Sequence, residues 1–243
     1  HHIPANSFSQ VMMAMPARYR LGLTATPNRP DGLTPILHWH LGPTCWEITN
    51  EHLISMGLIM APRIEWLFTG WNIEQHLEWS ALVTRMAEDP DRNQLILERV
   101  KELVQDGRQV LVLSGRVNHC LSLAESLQED GIEAAPLVGK MTKKARAEVI
   151  EAARNGTMSV ITATTIADEG LDIPNLEAVV LTTPTKSKGR IQQRIGRVMR
   201  ICENKSQPIV VDLVDGSFPA RQMAKNRSRL YRSLGCDLTD PNA

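Results

Sequence analysis

Two arginines and a glutamine share one face of a predicted helix near the C-terminal end of the sequence. Gln193, Arg197 and Arg200 follow one another at helical spacing, whereas apolar residues occupy another face. Gly196 lies in the same stretch although glycine costs about 1 kcal/mol relative to alanine inside a helix, which predicts close approach of another surface. Arginines held on a rigid helix stabilise charge on a phosphoryl group in transfer. The alternative is a solvated basic face, but the helix holds no acidic residue to support the row.

Small, hydroxyl-bearing and cationic residues follow several predicted strands. Because open parallel sheets bind ligands outside the carboxyl ends of their strands, these residues are candidates for a binding site. Small side chains let backbone N–H groups approach a phosphate, and lysine or arginine neutralises its charge. Each short group alone also fits ordinary turn chemistry. Together they predict a surface that tracks a phosphate backbone, formed by Ser114, Gly115, Arg116, Gly139, Lys140, Thr164, Thr165 and residues 182–186.

The elements that must position these residues alternate between strands and helices after about Asp91. This alternation predicts an α/β fold with a parallel sheet and crossover helices. Short apolar runs predict strands over 110–113, 133–138, 159–163, 178–181 and 208–213. Apolar residues at helical spacing predict helices from Asp91 to Gly107, over 119–128, over 143–154 and from Arg190. The first sixty residues fit this pattern less well, and His38, Trp39 and His40 alternate as a strand does.

Composition indicates a globular protein and does not identify a partner. The 243 residues are 42% hydrophobic, and 27 lysines and arginines balance 27 aspartates and glutamates. Four widely spaced cysteines argue against a zinc site or a disulfide framework, so we expect a reducing cytoplasm. His38 and His40 have no third ligand nearby, and we predict no metal site there. The sequence shows no targeting segment and no membrane-spanning segment.

Several stretches of the chain resemble the motifs of superfamily-two helicases. Gln193–Arg200, with the sequence QRIGRVMR, resembles motif VI. Leu23–Pro27 resembles motif III, Val110–Cys120 motif IV, and Thr164–Pro174 motif V. His1–Ala5 is similar to the end of motif II in the DEAD/DEAH-like branch that includes phage and nucleotide-excision-repair helicases, although its two histidines also fit the stub of an affinity tag. The sequence departs from the family because it holds neither the Asp-Glu pair that precedes this motif nor a Gly-Lys-Thr loop.

The resemblance implies a role for each matching residue. Arg200 would act as an arginine finger on the γ-phosphate of ATP, beside Arg197 and Gln193, and Gly170 and Asp172 would contact the nucleotide. The nucleic-acid backbone would be held by Ser114, Arg116, Gly139, Lys140, Thr164 and Thr165. The motif that couples hydrolysis to movement of the two halves is matched by Thr24, Ala25 and Thr26. The implied cofactors are ATP and Mg²⁺, with the Mg²⁺ ligands on a segment upstream. The alternative for Asp172 is an exposed acid, and the alternative for Gly170 is a turn glycine. Thr24 and Thr26 could instead be threonines that simply favour β structure.

The resemblance also implies a division of the chain and a function. Residues 1–62 would be the C-terminal remnant of a first RecA-like domain, 63–90 a connector and leading helix, and 91–243 a second RecA-like domain. The expected function is the C-terminal motor half of an ATP-dependent helicase or translocase, inactive without its N-terminal half and acting on nucleic acid, with DNA favoured. The alternatives are a translocase subunit of a restriction or remodelling complex and a non-catalytic nucleic-acid-binding module. A further nucleic-acid contact or a solvated helix face is predicted for Arg221, Lys225, Arg227, Arg229 and Arg232.

Overall fold

A computed structural model of the protein describes residues 6–24, 32–73, 77–164, 173–185, 187–202 and 205–238. The contacts within the chain divide it into two compact units, His1–Thr49 and Asn50–Ala243. Helix α3 and strand β1, described below, belong to the second unit. In the described part of the chain, no helix is both long enough and apolar enough to cross a lipid bilayer.

The first unit contains two short helices, α1 (Asn6–Ala14) and α2 (Thr34–Leu41). The strand-like alternation of His38, Trp39 and His40 was misleading, because these residues lie within α2. A proline in the first turn favours the start of this helix, and Gly42, at a φ of 87°, follows its end. Among the residues whose burial is described in this unit, Leu37 is the one buried hydrophobic side chain.

The second unit holds all seven strands and the remaining helices of the described chain. Its elements, in chain order, are α3 (Asn50–Ser55), β1 (Arg63–Phe68), α4 (Trp79–Glu88), α5 (Pro90–Gln105), β2 (Val110–Leu113), α6 (Val117–Glu129), β3 (Ala134–Leu137), α7 (Lys143–Arg154), β4 (Val160–Ala163), β5 (Ala178–Leu181), α8 (Lys188–Val198), β6 (Ile209–Val214), α9 (Phe218–Ser233) and β7 (Asp237–Leu238). The five strands predicted from apolar runs are all present, and β2, β5 and α7 have the predicted bounds.

The strands form one parallel sheet in the order β3-β4-β2-β5-β6-β1-β7. The predicted α/β class is therefore confirmed. Every residue of β2, β4 and β5 is buried, as expected for central strands that are covered by helices on both faces. One addition to the predicted sheet is β1, which pairs with β6 and β7 and comes from the stretch expected to be a connector.

Alternate side chains of the central strands belong to two separate hydrophobic cores. Leu111 and Leu113 of β2 belong to a cluster that includes residues of α7, α8 and α9. Val110 and Val112 of the same strand belong to a second cluster that includes residues of α5 and α6. The two clusters lie on opposite faces of the sheet because successive side chains of a strand point to opposite sides. Helices therefore cover both faces of the sheet, so a binding site is expected at the ends of the strands.

A buried ion pair fixes helix α5 to the end of strand β6. Arg92 of α5 donates to Asp215, which directly follows β6, with an Nε to Oδ1 distance of 2.7 Å and both side chains inaccessible to solvent. Arg92 also donates to the carbonyl of Thr182, and Thr69 donates to Asp215 at 2.6 Å. The ends of β1, β5 and β6 are thereby tied to α5. Removing one partner of such a pair is costly because it leaves an uncompensated buried charge.

Candidate functional site

The predicted backbone-tracking residues follow neighbouring strands and lie along one edge of the sheet. Gly139 and Lys140 follow β3, Thr164 follows β4, and residues 114–116 follow β2. These strands are adjacent in the order β3-β4-β2, with a spacing of about 4.8 Å between neighbours. Residues 182–185 follow β5, the next strand. The structure therefore brings the described members of the predicted set into one row, which we call the carboxyl edge.

Ser114 is buried and its hydroxyl is engaged within the protein. Its Oγ lies 2.9 Å from Nδ1 of His119 and accepts from the backbone N–H of Arg116 at 3.1 Å. His119 Nε2 lies 2.9 Å from Oδ1 of Asn93, which accepts its proton, so Nδ1 is the ring acceptor. Burial first, and the charge of Arg92 second, lower the pKa of His119 to about 4. A neutral imidazole thus orients Ser114, and the serine hydroxyl shapes the turn at residues 114–116.

Arg116 connects the carboxyl edge to α4. Its guanidinium donates to Thr84 Oγ1 at 2.9 Å and to the carbonyl and hydroxyl of Ser80 at 2.6 and 2.9 Å. A fourth donor reaches the carbonyl of Gly115 at 3.1 Å. Because a guanidinium carries five N–H donors, most of its capacity serves the fold. The side chain is half-buried, and its structural connections are a property that the sequence did not indicate.

Lys140 and Gly139 are exposed, whereas Thr164 is buried. Two further exposed lysines, Lys143 and Lys144, occupy the first turn of α7 immediately beyond. Thr142 caps this helix by accepting from the backbone N–H of Ala145 at 3.2 Å. The β3 end of the carboxyl edge therefore presents a group of solvated ammonium ions. Lys143 and Lys144 were not singled out from the sequence, where they stand within an unremarkable charged helix.

The outer face of α8 presents Gln193, Gly196 and Arg197, as the helical spacing predicts. Ile191, Ile195 and Val198 are buried on the other side, while Gln193 and Arg197 are half-buried. Gly196 is exposed, and a methyl group added there would have nothing within 4 Å among the described neighbours. This face can therefore receive another surface at close range, with a guanidinium and an amide beside the open position.

Arg200 does not belong to the helix, which contradicts the predicted continuous row. Helix α8 ends at Val198, and Arg200 forms an isolated antiparallel bridge with Ile59. The backbone N–H of Met60 donates to the carbonyl of Met199 at 2.8 Å. Pairing with this upstream segment competes successfully with another helical turn. Arg200 is exposed, and its partner Ile59 precedes β1, so Arg200 lies toward the amino ends of the strands and away from the carboxyl edge.

Lys205 holds the segment around Arg200 from the other side. Its Nζ donates to the carbonyl of Arg200 at 2.9 Å and to that of Pro174 at 3.4 Å. Burial lowers the pKa of this ammonium to about 8. The side chain lines a polar cavity of about 280 Å³ at the amino ends of β2, β4 and β5, together with Arg108, Gln109 and Glu177. The backbone at Arg200 is thus fixed by contacts on two sides.

Several predicted site residues lie outside the described part of the chain, namely Ala25, Thr26, Thr165, Gly170, Asp172 and Lys186. Thr24 is described and exposed. Among the described residues, no group of three or more histidine, cysteine, aspartate or glutamate side chains is placed to hold a metal ion. The candidate site in the described chain consists of the carboxyl edge and the arginine-bearing segment from α8 to Arg200.

The chain is similar to helicases in sequence. Residues 94–202 match the family described as the helicase conserved C-terminal domain. A protein named as helicase 22 of Sulfolobus islandicus filamentous virus is 34% identical over 230 residues, which cover 88% of this chain and 41% of the relative. The DNA 3'-5' translocase XPB2 of Sulfurisphaera tokodaii is 23% identical over 273 residues, which cover 93% of this chain and 60% of the relative. The chain spans about half the length of the curated relatives it matches.

Solved structures of helicase-like proteins share its fold. The fragment structure of an HsdR subunit of a type I restriction enzyme from Vibrio vulnificus has a TM-score of 0.73 at 14% identity, covering 96% of this chain and 46% of that one. Saccharomyces cerevisiae Dbp5 bound to RNA and ADP BeF3 has a TM-score of 0.67 at 16% identity, covering 97% and 55%. At these identities the likeness shows the RecA-like fold alone. Together with the helicase relatives, the family match shows that residues 94–202 of this chain belong to the helicase conserved C-terminal domain family and form a C-terminal domain of a superfamily-two helicase.

Proposed function

We propose that this chain supplies the C-terminal motor half of an ATP-dependent helicase or translocase that moves along nucleic acid. In this proposal the carboxyl edge grips the phosphate backbone, and the segment from Gln193 to Arg200 faces ATP bound to the N-terminal half. The observation that carries the proposal is the row of residues along the carboxyl edge. Exposed cations follow β3, and glycine-containing turns follow β3 and β2 on nearby strands. A row of this kind suits a repeating anion because each turn meets one part of the backbone.

The residues of the edge contribute in different ways under this proposal. Lys140 neutralises a phosphate directly, and Gly139 allows close backbone approach. Arg116 and Ser114 shape the turn between β2 and α6, and Arg116 retains part of its guanidinium for an anion. Thr164 and Thr165 would continue the row after β4. Because contacts of this type do not read bases, binding should depend strongly on salt and weakly on sequence.

The segment from Gln193 to Arg200 carries groups that suit the polyphosphate of ATP, with Gln193 and Arg197 on α8 and Arg200 just beyond its end. Arg197 follows Gly196, and no atom of the described residues lies within 4 Å of a methyl group added there, so none of these residues blocks an anionic group carried by another surface. Arg200 would stabilise the charge on the γ-phosphoryl group, with Arg197 beside it and Gln193 on the same surface. ATP supplies the phosphoryl group, and Mg²⁺ would be held by ligands on the N-terminal half. Gly170 and Asp172 would contact the nucleotide from this chain.

The division into two motor halves is part of the same proposal. The first unit, residues 1–49, would belong to the N-terminal half, and the second unit would form the C-terminal half. Thr24, Ala25 and Thr26 would couple hydrolysis to the relative movement of the halves. We propose a boundary near Asn50 because residues beyond it contact the second unit: Asn50 donates to the carbonyl of Leu234 at 3.4 Å, and Ile59 pairs with Arg200.

We propose DNA as the nucleic acid, although the relatives' names include both kinds. XPB2 of Sulfurisphaera tokodaii is named as a DNA 3'-5' translocase, and L396 of Acanthamoeba polyphaga mimivirus is named as an ATP-dependent RNA helicase. The first of these names also favours a second candidate, which is translocation without strand separation. Strand-displacement and triplex-displacement assays on the intact protein distinguish the two, since a pure translocase displaces only the third strand of a triplex.

Substitution of Arg200 in the intact protein tests the proposed function. Arg200→Ala should reduce ATP turnover by at least about a hundredfold, because an arginine finger contributes on the order of 10³ to 10⁵ in rate. Arg200→Lys should not restore turnover, since lysine lacks the planar fork that contacts two oxygens together. Arg154→Ala, at the exposed end of α7, is the matched control. Turnover that stays within a few fold in Arg200→Ala, with an unchanged thermal melt, would refute the assigned role.

A further inference from the structure

Helix α9 presents an aromatic ring and four cations on one exposed face. An α-helix advances by about 100° per residue, so Phe218, Arg221, Lys225, Arg229 and Arg232 fall within an arc of about 80°. All five side chains are exposed, and Phe218 is 80% exposed. The opposite face is buried and carries Ala220, Ala224, Arg227 and Tyr231. We call the exposed set Phe218, Arg221, Lys225, Arg229 and Arg232 the α9 stripe.

The four cations of the α9 stripe have no side-chain partner among the described residues. None of the four forms a salt bridge or a side-chain hydrogen bond with another described residue. Helix α9 also contains no acidic residue. Arg227 differs sharply, because its guanidinium turns inward and binds both carboxylate oxygens of Asp212 at 2.6 and 2.8 Å. Of the basic run noted in the sequence, one arginine is structural and four remain available to an anion.

The α9 stripe begins at the same edge of the sheet as the backbone-tracking row. Helix α9 follows β6 after a short turn at residues 215–217, and Phe218 is its first residue. Phe218 and Thr185, which follows β5, line one groove of about 420 Å³. The groove therefore extends the carboxyl edge from the end of β5 to the start of α9. From Arg221 to Arg232 the stripe then runs along the helix for about 16 Å at 1.5 Å per residue.

We propose that the α9 stripe is a second nucleic-acid contact, which binds a single strand where it passes beyond the carboxyl edge. A base stacks on Phe218, and successive phosphates are neutralised by Arg221, Lys225, Arg229 and Arg232. Stacking on an exposed aromatic ring combined with a line of cations is the common chemistry of single-strand binding without sequence preference. The inference rests on the proposed function, because that function places a strand at the carboxyl edge.

Charge and continuity favour nucleic acid over an acidic peptide as the occupant. Cations placed four residues apart on a helix lie about 6 Å apart along its axis, so they offer a regular line to a repeating anion. The stripe also starts at the carboxyl edge, where the strand is already held. An acidic amphipathic peptide would instead require the apolar groove lined by Ile191, Met223 and Leu230. In that case loss of the cations would leave nucleic-acid binding unchanged.

Binding of fluorescein-labelled oligo(dT), twenty nucleotides long, to the 243-residue chain tests the inference over 50–200 mM salt. The double variant Lys225→Gln/Arg229→Gln should raise the Kd about tenfold and make the slope of log K against log salt less steep by about 1.4. Phe218→Ala should raise the Kd about tenfold without changing that slope, and Phe218→Trp should restore binding. The matched control is Lys101→Gln/Arg154→Gln, which removes one lysine and one arginine near the amino ends of the strands.

Lys140→Gln serves as a separate report on the carboxyl edge. If Lys140→Gln weakens binding while the α9 double variant equals wild type, the inference is overturned and the proposed function stands. If the α9 variant and its matched control weaken binding equally, net charge alone is responsible, and the inference is again overturned. If the wild-type chain binds no oligonucleotide at low salt, both the proposed function and the inference fail. All substituted α9 residues are exposed, so thermal melts should match wild type.

Discussion

At the scale of single residues, His119 makes stability depend on pH in a defined window. Its folded pKa is about 4, whereas an unfolded histidine titrates near 6.5. Between these values His119 is protonated in the unfolded chain but neutral in the folded chain. The free energy of unfolding therefore falls as pH decreases from about 6.5 to about 4. The difference is worth about 3 kcal/mol. Above pH 6.5 the contribution of His119 is fully present.

Urea unfolding at a series of pH values measures this effect. His119→Gln should lower stability at neutral pH by about 1–3 kcal/mol, because Ser114 and Asn93 lose their partner. The same variant should lose about 3 kcal/mol less than wild type between pH 6.5 and pH 4. Ser114→Ala is the control. It removes a hydrogen bond to the ring but keeps the imidazole, so its stability should still fall as the pH decreases from 6.5 to 4. If wild type and His119→Gln lose the same free energy of unfolding between pH 6.5 and pH 4, His119 is not the source of the pH dependence.

The residue types at the carboxyl edge were predictable from the sequence, but their internal partners were not. Ser114 and Arg116 follow an apolar strand, which indicates an edge position. Their actual hydrogen bonds go to His119 and to Ser80 and Thr84, and these pairings depend on how α4 and α6 pack. A serine or arginine after a strand has the same sequence signature whether it faces a ligand or the fold. The prediction was therefore good for location and incomplete for role.

At the scale of elements, we expect substitution of Gly196 to change stability and activity in opposite directions. No atom of the described residues lies within 4 Å of a methyl group added at this glycine of α8, so Gly196→Ala should raise the free energy of unfolding by about 0.5–1 kcal/mol through helix propensity. In the intact protein the added methyl group should lower ATP turnover, because we propose that the nucleotide-bearing surface approaches there. Ser122→Ala, on the exposed face of α6, is a control that raises propensity at another site. A more stable Gly196→Ala variant with unaltered turnover would exclude close approach at this position.

Strongly patterned elements were predictable, and elements that depend on distant partners were not. The buried strands β2 and β5 and the helix α7 matched the sequence because their apolar residues repeat at one clear period. Strand β1 alternates charged and apolar residues less regularly, and it becomes a strand by pairing with β6, far along the chain. Helix α8 ends early for a related reason, because Arg200 pairs with Ile59. Pairing between distant segments leaves little trace in local sequence.

At the scale of the whole molecule, the proposed function predicts that this chain needs an N-terminal motor half for catalysis. The arginines of the α8 segment stabilise charge, but the sequence contains no Gly-Lys-Thr loop to hold the phosphates. We expect the 243-residue chain alone to release phosphate from ATP at least about a hundredfold more slowly than the intact protein, with saturating single-stranded DNA present. Adding the separately produced N-terminal half should restore part of the rate. Equal turnover by the chain alone would place the entire catalytic machinery within these residues.

The first unit differs from the second in how its hydrophobic side chains are exposed. Large exposed hydrophobic side chains are concentrated in it, namely Val11, Met13, Met15, Tyr19, Leu21, Leu23, Leu33, Trp39, Trp46 and Ile48. Under the proposed function, the rest of an N-terminal motor half would cover these side chains. The second unit, by contrast, contains three internal core clusters. Folding stability is therefore expected to reside in the second unit.

The pairing of Ile59 and Met60 with Met199 and Arg200 has a consequence for sequence variation. The backbone position of Arg200 is set by a segment far upstream, through a bridge and through the 2.8 Å hydrogen bond from Met60 to Met199. A proline at position 60 would remove that donor and displace the arginine without altering any residue of α8. Across homologous proteins, insertions or prolines near residue 60 should therefore accompany changes near residue 200, so that the two segments covary as a pair.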